Sequence, residues 1–314
     1  MSDIDGALVI SVVAGALRAA TPVIYAGLGE LINERSGVLN LGLEGLMLTG
    51  ACAAVGAHLA WGTWEVSLLV AALAAGFVGL IHAFFCVVLR SSQVVTGLAV
   101  LFLCQGVTAV VGARWVSRAV SPGLAPPLAG LEPVPVLGTV LGQQDIMVFG
   151  ALLAAVAVGV FLFRSRWGVL LRACGESAHA AAAAGVRVRA VRLAAGTACG
   201  VLCGLGGAHL SLFYAQQWQE NMVTGRGWIA LVMVIFGMWF PGRLLLGAYL
   251  FGGLVTLQLN LQARGIAAPQ YVLSMLPFLV TLALLVAASW RLKWRSGGMP
   301  ADLGIPFHPE GQAE

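Results

Sequence analysis

Long apolar runs, separated by short polar interruptions, make up most of this chain. About 20 apolar residues are enough to cross the hydrocarbon core of a bilayer. A shorter apolar segment lies at 228–240, and a run at 7–32 contains Arg18, so that run is either a span or an interfacial helix. The pattern predicts an all-α polytopic membrane protein with about 8–10 transmembrane helices, some of them discontinuous. The full-length spans are predicted at 38–60, 66–89, 94–113, 145–163, 193–213, 244–261 and 271–290.

The composition supports a membrane protein. The chain has 314 residues, of which 60% are hydrophobic and 10% charged, and its mean hydropathy is +0.93. Soluble domains carry roughly a quarter charged residues. We therefore predict one membrane domain at 1–295, followed by a flexible C-terminal tail at 296–314. Asp3 and Asp5 stand where a signal peptide would be basic, and the six cysteines lack the spacing of metal ligands.

The distribution of arginine predicts the topology. Loops rich in Lys and Arg lie on the cytoplasmic side of membrane proteins. The loops at 90–93, 164–192 and near 243 and the C-terminus are thus predicted to be cytoplasmic, and the position of the N-terminus depends on whether 7–32 crosses. The proline-rich loop at 119–144 cannot form a long helix. The predicted outer loops, of which 119–144 and 214–227 should face an external partner, are 61–65, 114–144, 214–227 and 262–270.

Polar residues interrupt the apolar pattern between Thr21 and Gly50. Charged groups inside a membrane usually face a cavity or a partner, so this segment is either a cytoplasmic hairpin or a discontinuous helix that lines a path. A tight turn held by an ion pair of Arg35 is the simpler alternative. Ile235–Gly253 has a similar layout, which predicts an inverted repeat. The residues predicted to line the substrate path are Asn33, Glu34, Asn40, Glu44, Gln93, Gln105, Trp228 and Gln258.

The loop at 164–192 contains a short helix with clear boundaries. Ser177 is a good N-cap, residues 178–184 are strong helix formers, and Gly185 is a natural terminator. The exposed face of this helix should be almost entirely alanine, with no bulky apolar side chains to bury in its own protein. We therefore predict that it docks against a partner protein, although a solvated connector is the alternative.

Three segments together resemble permease subunits of bacterial ABC importers of the ribose and branched-chain amino-acid type. They are GELINERSGVLNLGLEGLMLTGA at 29–51, RSSQVVTGLAV at 90–100 and LRACGESAHAAAAAGV at 171–186. The most similar branch is that of the purine-nucleoside permeases that work with basic-membrane-protein-type lipoproteins. In that family Asn-Pro often occurs where Ser177 and Ala178 stand here, and a polar residue is common at the position of Leu101.

The resemblance implies a type II-like ABC importer permease in the bacterial cytoplasmic membrane. Its implied partners are a second, related permease in a heterodimer, an ATPase with two nucleotide-binding domains, and an extracytoplasmic substrate-binding lipoprotein. It also implies that the Arg-rich loop couples the permease to the ATPase. The residues of this implied coupling helix are Arg172, Gly175, Glu176, Ser177, His179, Ala181, Ala182 and Gly185.

The chain itself contains no GxxxxGK[ST] phosphate-binding loop, so ATP and Mg²⁺ should be used by the partner ATPase and no cofactor should be bound here. Two other functions are alternatives: a secondary transporter in which Glu30 or Glu44 relays protons, and an intramembrane enzyme that uses this carboxylate pair. The amide and aromatic groups predicted on the path suit an uncharged solute. Purine nucleosides are the first candidate, and simple sugars are the alternative.

Overall fold

A computed structural model describes residues 2–131, 133–134, 136–264 and 298–308, with isolated helical positions between 275 and 286. Helices dominate the described residues. A π-helical segment, His209–Tyr214, directly extends the eighth helix. The α-helices are α1 Ser2–Arg35, α2 Leu43–Trp61, α3 Trp64–Val87, α4 Gln93–Gly112, α5 Ile146–Arg164, α6 Arg166–Glu176, α7 Ala178–Ala183, α8 Val188–Ala208, α9 Arg226–Phe236 and α10 Pro241–Ala263.

Seven of the described helices are long and apolar enough to cross a membrane, which confirms the all-α polytopic fold. Helix α9 is apolar but too short to cross alone. The predicted span at 271–290 and the basic residues that follow it lie largely outside the described residues. The crossing segments are Leu8–Arg35, Leu43–Trp61, Trp64–Val87, Gln93–Trp115, Ile146–Arg164, Val188–Tyr214 and Pro241–Ala263.

Helix α1 is continuous from Ser2 to Arg35 and contains Pro22. The run at 7–32 is therefore part of a crossing helix, and the discontinuous-helix interpretation of Thr21–Gly50 is wrong. The interruption is a turn at residues 36–42 that connects α1 to α2. These two helices barely touch each other, so the turn carries the chain away from α1 and towards α4.

Helix α8 packs closely at the centre of the bundle against α1, α2 and α3. Its contact with α3 depends on small residues, because a Cβ atom at Gly200 would lie 2.3 Å from the carbonyl oxygen of Ala75. Gly196 and Gly204 approach α3 in the same way. Small residues at a spacing of four let membrane helices approach until their backbones touch, so this stripe fixes α8 in the core.

The bundle has two distinguishable ends. At one end, which we call the Arg-rich end, the 164–192 loop, the start of α4 and residues 298–308 meet; Arg90, just before α4, contacts His308. At the opposite end, Asp145 caps the start of α5, forms an ion pair with Arg18 and lies 3.3 Å from a ring nitrogen of His209. Burial alone would raise the pKa of the Asp145 carboxyl, but its hydrogen bond with His209 and the charge of Arg18 outweigh this and lower it.

The segment between α8 and α9 differs from the predicted outer loop at 214–227. It begins at the opposite end, where Val116 pairs with Trp218 and Ala119 with Gln217. It then runs alongside α2, where the backbone N–H of Gly225 donates to Glu44. Only the first residues of this segment therefore form a loop at that end of the bundle, because the rest packs along the transmembrane helices.

Candidate functional site

The turn at 36–42 is held by buried polar side chains. The carboxylate of Glu30 accepts a hydrogen bond from the backbone N–H of Asn40 at 2.8 Å. The side-chain oxygen of Gln93, at the start of α4, accepts one from the N–H of Leu39 at 2.7 Å. The side chain of Asn40 accepts from the N–H of Gly42, also at 2.7 Å. These bonds replace the helical hydrogen bonds that the turn lacks, as buried backbone groups require.

Glu30 is fully buried between α1 and α8. Its second oxygen lies 3.3 Å from the amide nitrogen of Asn33 and 3.4 Å from the thiol sulfur of Cys199. Asn33, Glu34, Asn40 and Gln93 are also buried, so they do not face lipid. In this conformation these predicted path residues support the turn and do not form the wall of an open channel. Their part in substrate transfer stays a prediction.

The two similar segments that suggested an inverted repeat contact each other. The second segment breaks between α9 and α10, and its Trp239 donates its indole N–H to the carboxylate of Glu34. The guanidinium group of Arg35 donates to the carbonyl oxygen of Trp239 at 3.1 and 3.3 Å, and it lies over the rings of Phe163 and Phe240. The alternative of a tight turn required an ion pair of Arg35 with Glu30 or Glu34, and no such pair forms among the described residues.

The local structure of the Arg-rich loop agrees with its prediction. Helix α7 spans Ala178–Ala183, and the hydroxyl of Ser177 accepts a hydrogen bond from the N–H of Ala180. Gly185 ends the helix with a φ of +83°, and the N–H of Val186 donates back to the carbonyl of Ala181. A left-handed residue with this bond is a common helix ending.

The surface of α7 corrects one prediction. Ala178 and Ala181 are buried in this chain, where they pack with Phe307, so part of the alanine face is covered by the protein itself. The isolated sequence pattern could not show this, because Phe307 is more than 120 positions away. The exposed residues of the helix and its ending are His179, Ala180, Ala183, Ala184 and Gly185, with Ala182 half-buried.

The segment 298–308 differs from the predicted flexible tail at 296–314. The carboxylate of Asp302 accepts from the N–H of Ala178 at 2.7 Å, and the N–H of Asp302 donates to the carbonyl of Gly175. The N–H of Gly304 donates to the carbonyl of Gly37. The ring of Phe307 lies 5.3 Å from that of His179. These contacts give the segment a defined place between the Arg-rich loop and the turn at 36–42.

Arg192, a buried residue of α8, joins three parts of the Arg-rich end. Its guanidinium group donates to the carbonyl oxygens of Ser36, Cys174 and Ile305 at distances between 3.0 and 3.1 Å. One guanidinium group therefore bonds to the turn, to the end of α6 and to the C-terminal segment. Burial raises the pKa of the Cys174 thiol, against the charge of Arg192, so this cysteine packs as a neutral group.

The remaining predicted residues are spread over the bundle. Glu44 is buried beside the start of α9, whereas Trp228 is 42% exposed on α9. Gln105 on α4 and Gln258 on α10 are partly exposed and are not brought to the turn. In the loop, Glu176 is exposed, and Arg172 lies over the ring of Phe163.

Sequence reasoning missed three residues of this site: Arg192, Trp239 and Asp302. Arg192 was counted only as a topology signal, and Trp239 only as part of an apolar segment. A signal was available for Arg192, because it falls directly before the predicted apolar run at 193–213, where a charged side chain is usually paired or buried. Nothing near Asp302 in the sequence indicates its contact with α7.

Seven apolar helices and a buried polar turn define a multi-pass membrane protein. The chain belongs to the family described as the permease component of branched-chain amino acid transport systems, whose model matches residues 12–290. This finding confirms the resemblance to ABC transporter permeases. No solved structure matches the chain significantly.

Three relatives show how the family membership extends over the whole chain. TsgC13 of Haloferax volcanii, provisionally named a glucose ABC transporter permease, is 37% identical and covers 94% of this chain and 96% of its own length. The guanosine ABC transporter permease NupQ of Bacillus subtilis is 30% identical, with the same coverage of both chains. The nucleoside ABC transporter permease NupC of Lactococcus lactis is 31% identical and covers 87% of this chain and 90% of its own.

Proposed function

We propose that this chain is one of two permease subunits of an ATP-driven importer, and that its solute is a nucleoside, with purine nucleosides as the first candidate. The geometry of the Arg-rich end carries this proposal. A short capped helix, α7, presents an exposed edge to the predicted cytoplasmic side, and its first turn is bonded to the segment 302–304, which in turn bonds to Gly37 between α1 and α2. Such an arrangement can pass a displacement of α7 directly into the transmembrane helices.

The partner ATPase would supply the displacement. A ligand or partner shifts a conformational equilibrium only if it contacts the two states differently. An ATPase that grips the exposed edge of α7 would meet this condition. Asp302 bonds to Ala178 and Gly175, and Gly304 of the same segment bonds to Gly37, so α7 is connected to the turn through a short bonded segment. ATP and Mg²⁺ would then be bound by that ATPase and not by this chain.

The partners follow from the same proposal. The chain is also 26% identical to NupP of Bacillus subtilis, named as a guanosine permease like NupQ of the same organism. Two related guanosine permeases in one organism support a heterodimer. The extracytoplasmic lipoprotein would dock at the opposite end of the bundle, on the proline-rich 119–144 loop and the exposed start of the segment after α8. The C-terminus would be cytoplasmic.

Simple sugars are the second candidate solute, because the relative with 37% identity carries a glucose name. The test is uptake by membrane vesicles that contain this chain, the second permease, the ATPase and the binding lipoprotein. We expect ATP-dependent accumulation of labelled guanosine or adenosine that glucose does not compete away. Vesicles that carry a variant ATPase without its Walker lysine should accumulate neither guanosine nor adenosine.

Two outcomes would contradict the proposal. ATP-dependent accumulation of labelled glucose, with no nucleoside accumulation, would assign the transporter to sugars. Uptake that persists with the inactive ATPase and follows a proton gradient would show a secondary transporter. Binding measurements on the lipoprotein alone give an independent identification of the solute.

A further inference from the structure

The segment between α8 and α9 passes through the thickness of the bundle without forming a regular helix. Its upper part is attached to α4, since Trp218 packs against Gly112. Its lower part is attached to α2, where Gly225 donates to Glu44 at 3.0 Å. At Gly227, a Cβ atom would lie 2.5 Å from the backbone nitrogen of Glu44. The segment is therefore fixed at both of its ends.

The depth of the lower attachment follows from helix geometry. Helix α4 begins with Gln93 at the Arg-rich end, and Gly45, next to Glu44, packs against Leu101. At 1.5 Å per residue, Leu101 lies about 12 Å along α4, whereas Gly112 lies about 28 Å along it. Residues 218–225 therefore descend roughly 16 Å between two levels within the layer that the helices span.

The chain leaves polar groups of this segment uncovered. Two successive turns, closed by the N–H groups of Met222 and Thr224, form its backbone. Irregular backbone at membrane depth occurs only where protein or a water-filled cavity surrounds it. On α4, by contrast, the exposed residues along the same depth include Phe102, Leu103 and Val110 and are apolar. The exposed polar residues of the segment are Gln219, Glu220, Asn221 and Thr224, and Trp228 is exposed one turn further on.

A cavity of about 420 Å³ lies between α2 and α4, the two helices to which this segment is attached, and it is lined by residues of those helices and by Arg114 and Trp115. It begins at Thr49, five residues after Glu44, and extends to Trp115, the neighbour of the residue that pairs with Trp218. The two helices that hold the segment thus also line this cavity. Its lining is mostly apolar, and the hydroxyls of Thr49 and Thr108 donate to carbonyl oxygens of their own helices.

We infer that residues 219–228 line the solute path within the membrane, and that Asn221, Thr224 and Trp228 contact the solute. The solute class follows from the groups present: amides and a hydroxyl hydrogen-bond to sugar hydroxyls, while the indole ring offers a stacking face. Glu220 disfavours an anionic solute. An uncharged glycoside with an aromatic base fits this set of groups. The inference rests on the proposed function only for the identity of this solute.

Accessibility to water tests the path directly. One cysteine is added at a time in the variants Asn221→Cys and Thr224→Cys, with Val110→Cys as the lipid-facing control. Membranes that contain the complete transporter are treated on both faces with a membrane-impermeant maleimide. The native cysteines are buried and contribute little background. We expect Asn221→Cys and Thr224→Cys to react at least about tenfold faster than Val110→Cys, because maleimides react with the hydrated thiolate. Guanosine, but not an anionic nucleotide, should slow both reactions.

Equal reaction rates at all three positions would overturn the inference, since the segment would then be sealed by lipid or by the second permease.

Uptake gives the second measurement. Trp228→Ala should raise KM for guanosine by about tenfold, whereas Trp228→Phe should keep most of the affinity, because an aromatic face supports stacking. The labelling experiment needs neither ATP nor uptake, so its result does not depend on the proposed function. If the two cysteine variants react rapidly but the transporter moves no nucleoside, the proposed function is contradicted and the inferred path stands.

Discussion

At the scale of single residues, Gly175 sits where the Arg-rich loop touches the turn after α1. A Cβ atom at this position would lie 2.3 Å from the carbonyl oxygen of Arg35 and 3.1 Å from the backbone nitrogen of Gly37. The neighbouring atoms are backbone and cannot rotate away. The absence of a side chain at residue 175 is therefore what allows direct contact between α6 and the turn.

Gly175→Ala should separate the loop from the turn. Forcing a methyl group into a packed contact costs about 1–3 kcal/mol. A shift of α6 would weaken the contacts through which a movement of α7 reaches the transmembrane helices. We expect uptake to fall by about tenfold, since 1.4 kcal/mol corresponds to that factor, with normal insertion into the membrane. Gly106→Ala is the matched control, because nothing lies within 4 Å of a Cβ atom there. Equal uptake by the two variants would contradict this role of Gly175.

At the scale of elements, α7 has two different faces. One face packs on Phe307 through Ala178 and Ala181, so the C-terminal segment covers it. The other face is exposed and, apart from His179, consists of small side chains that let another backbone approach. The docking element that we propose is therefore α7 together with residues 302–307, and not α7 alone.

Bulky substitutions on the two faces of α7 should have different effects. Ala183→Trp adds volume on the exposed face, so it should prevent co-purification of the ATPase while leaving the permease folded. Ala181→Trp adds it on the covered face, so it should displace Phe307 and expose the C-terminal segment to protease. Pull-down of the ATPase and limited proteolysis separate the two. If Ala183→Trp keeps a stoichiometric ATPase and wild-type uptake, the exposed face of α7 is not the docking surface.

At the scale of the whole molecule, the bonds of Glu34 and Arg35 to Trp239 connect the first and second halves of the chain. They join α1 to the break between α9 and α10 across 204 and 205 positions of sequence. The break at 237–240 lies at the Arg-rich end, and α9 leads from it to the segment that we propose lines the path. A movement of the turn at 36–42 can thus reach the path through Trp239.

Removing the indole donor should destabilise the whole bundle. In Trp239→Phe the carboxylate of Glu34 loses its partner, and its other oxygen already has none. An unsatisfied buried polar group costs about 1–3 kcal/mol, so thermal unfolding in detergent should shift to lower temperature. Glu34→Leu combined with Trp239→Phe should cost less than the sum of the two single changes. Strictly additive losses would show that the two residues are not coupled.

The spans among the described residues, the two ends of the bundle and the boundaries of α7 could be predicted from the sequence. The apolar length of a span, the position of arginines, the Ser177 cap and the Gly185 terminator depend on residues within a few positions of each other. The family resemblance came from three short segments and held over residues 12–290. The tertiary structure alone decided that Asp302 caps α7, that Arg192 joins three segments, and that residues 219–225 descend beside α2. Each of these depends on a contact between residues 18 to 181 positions apart, and local sequence patterns carry no information about such contacts because distant segments meet only when the helices pack.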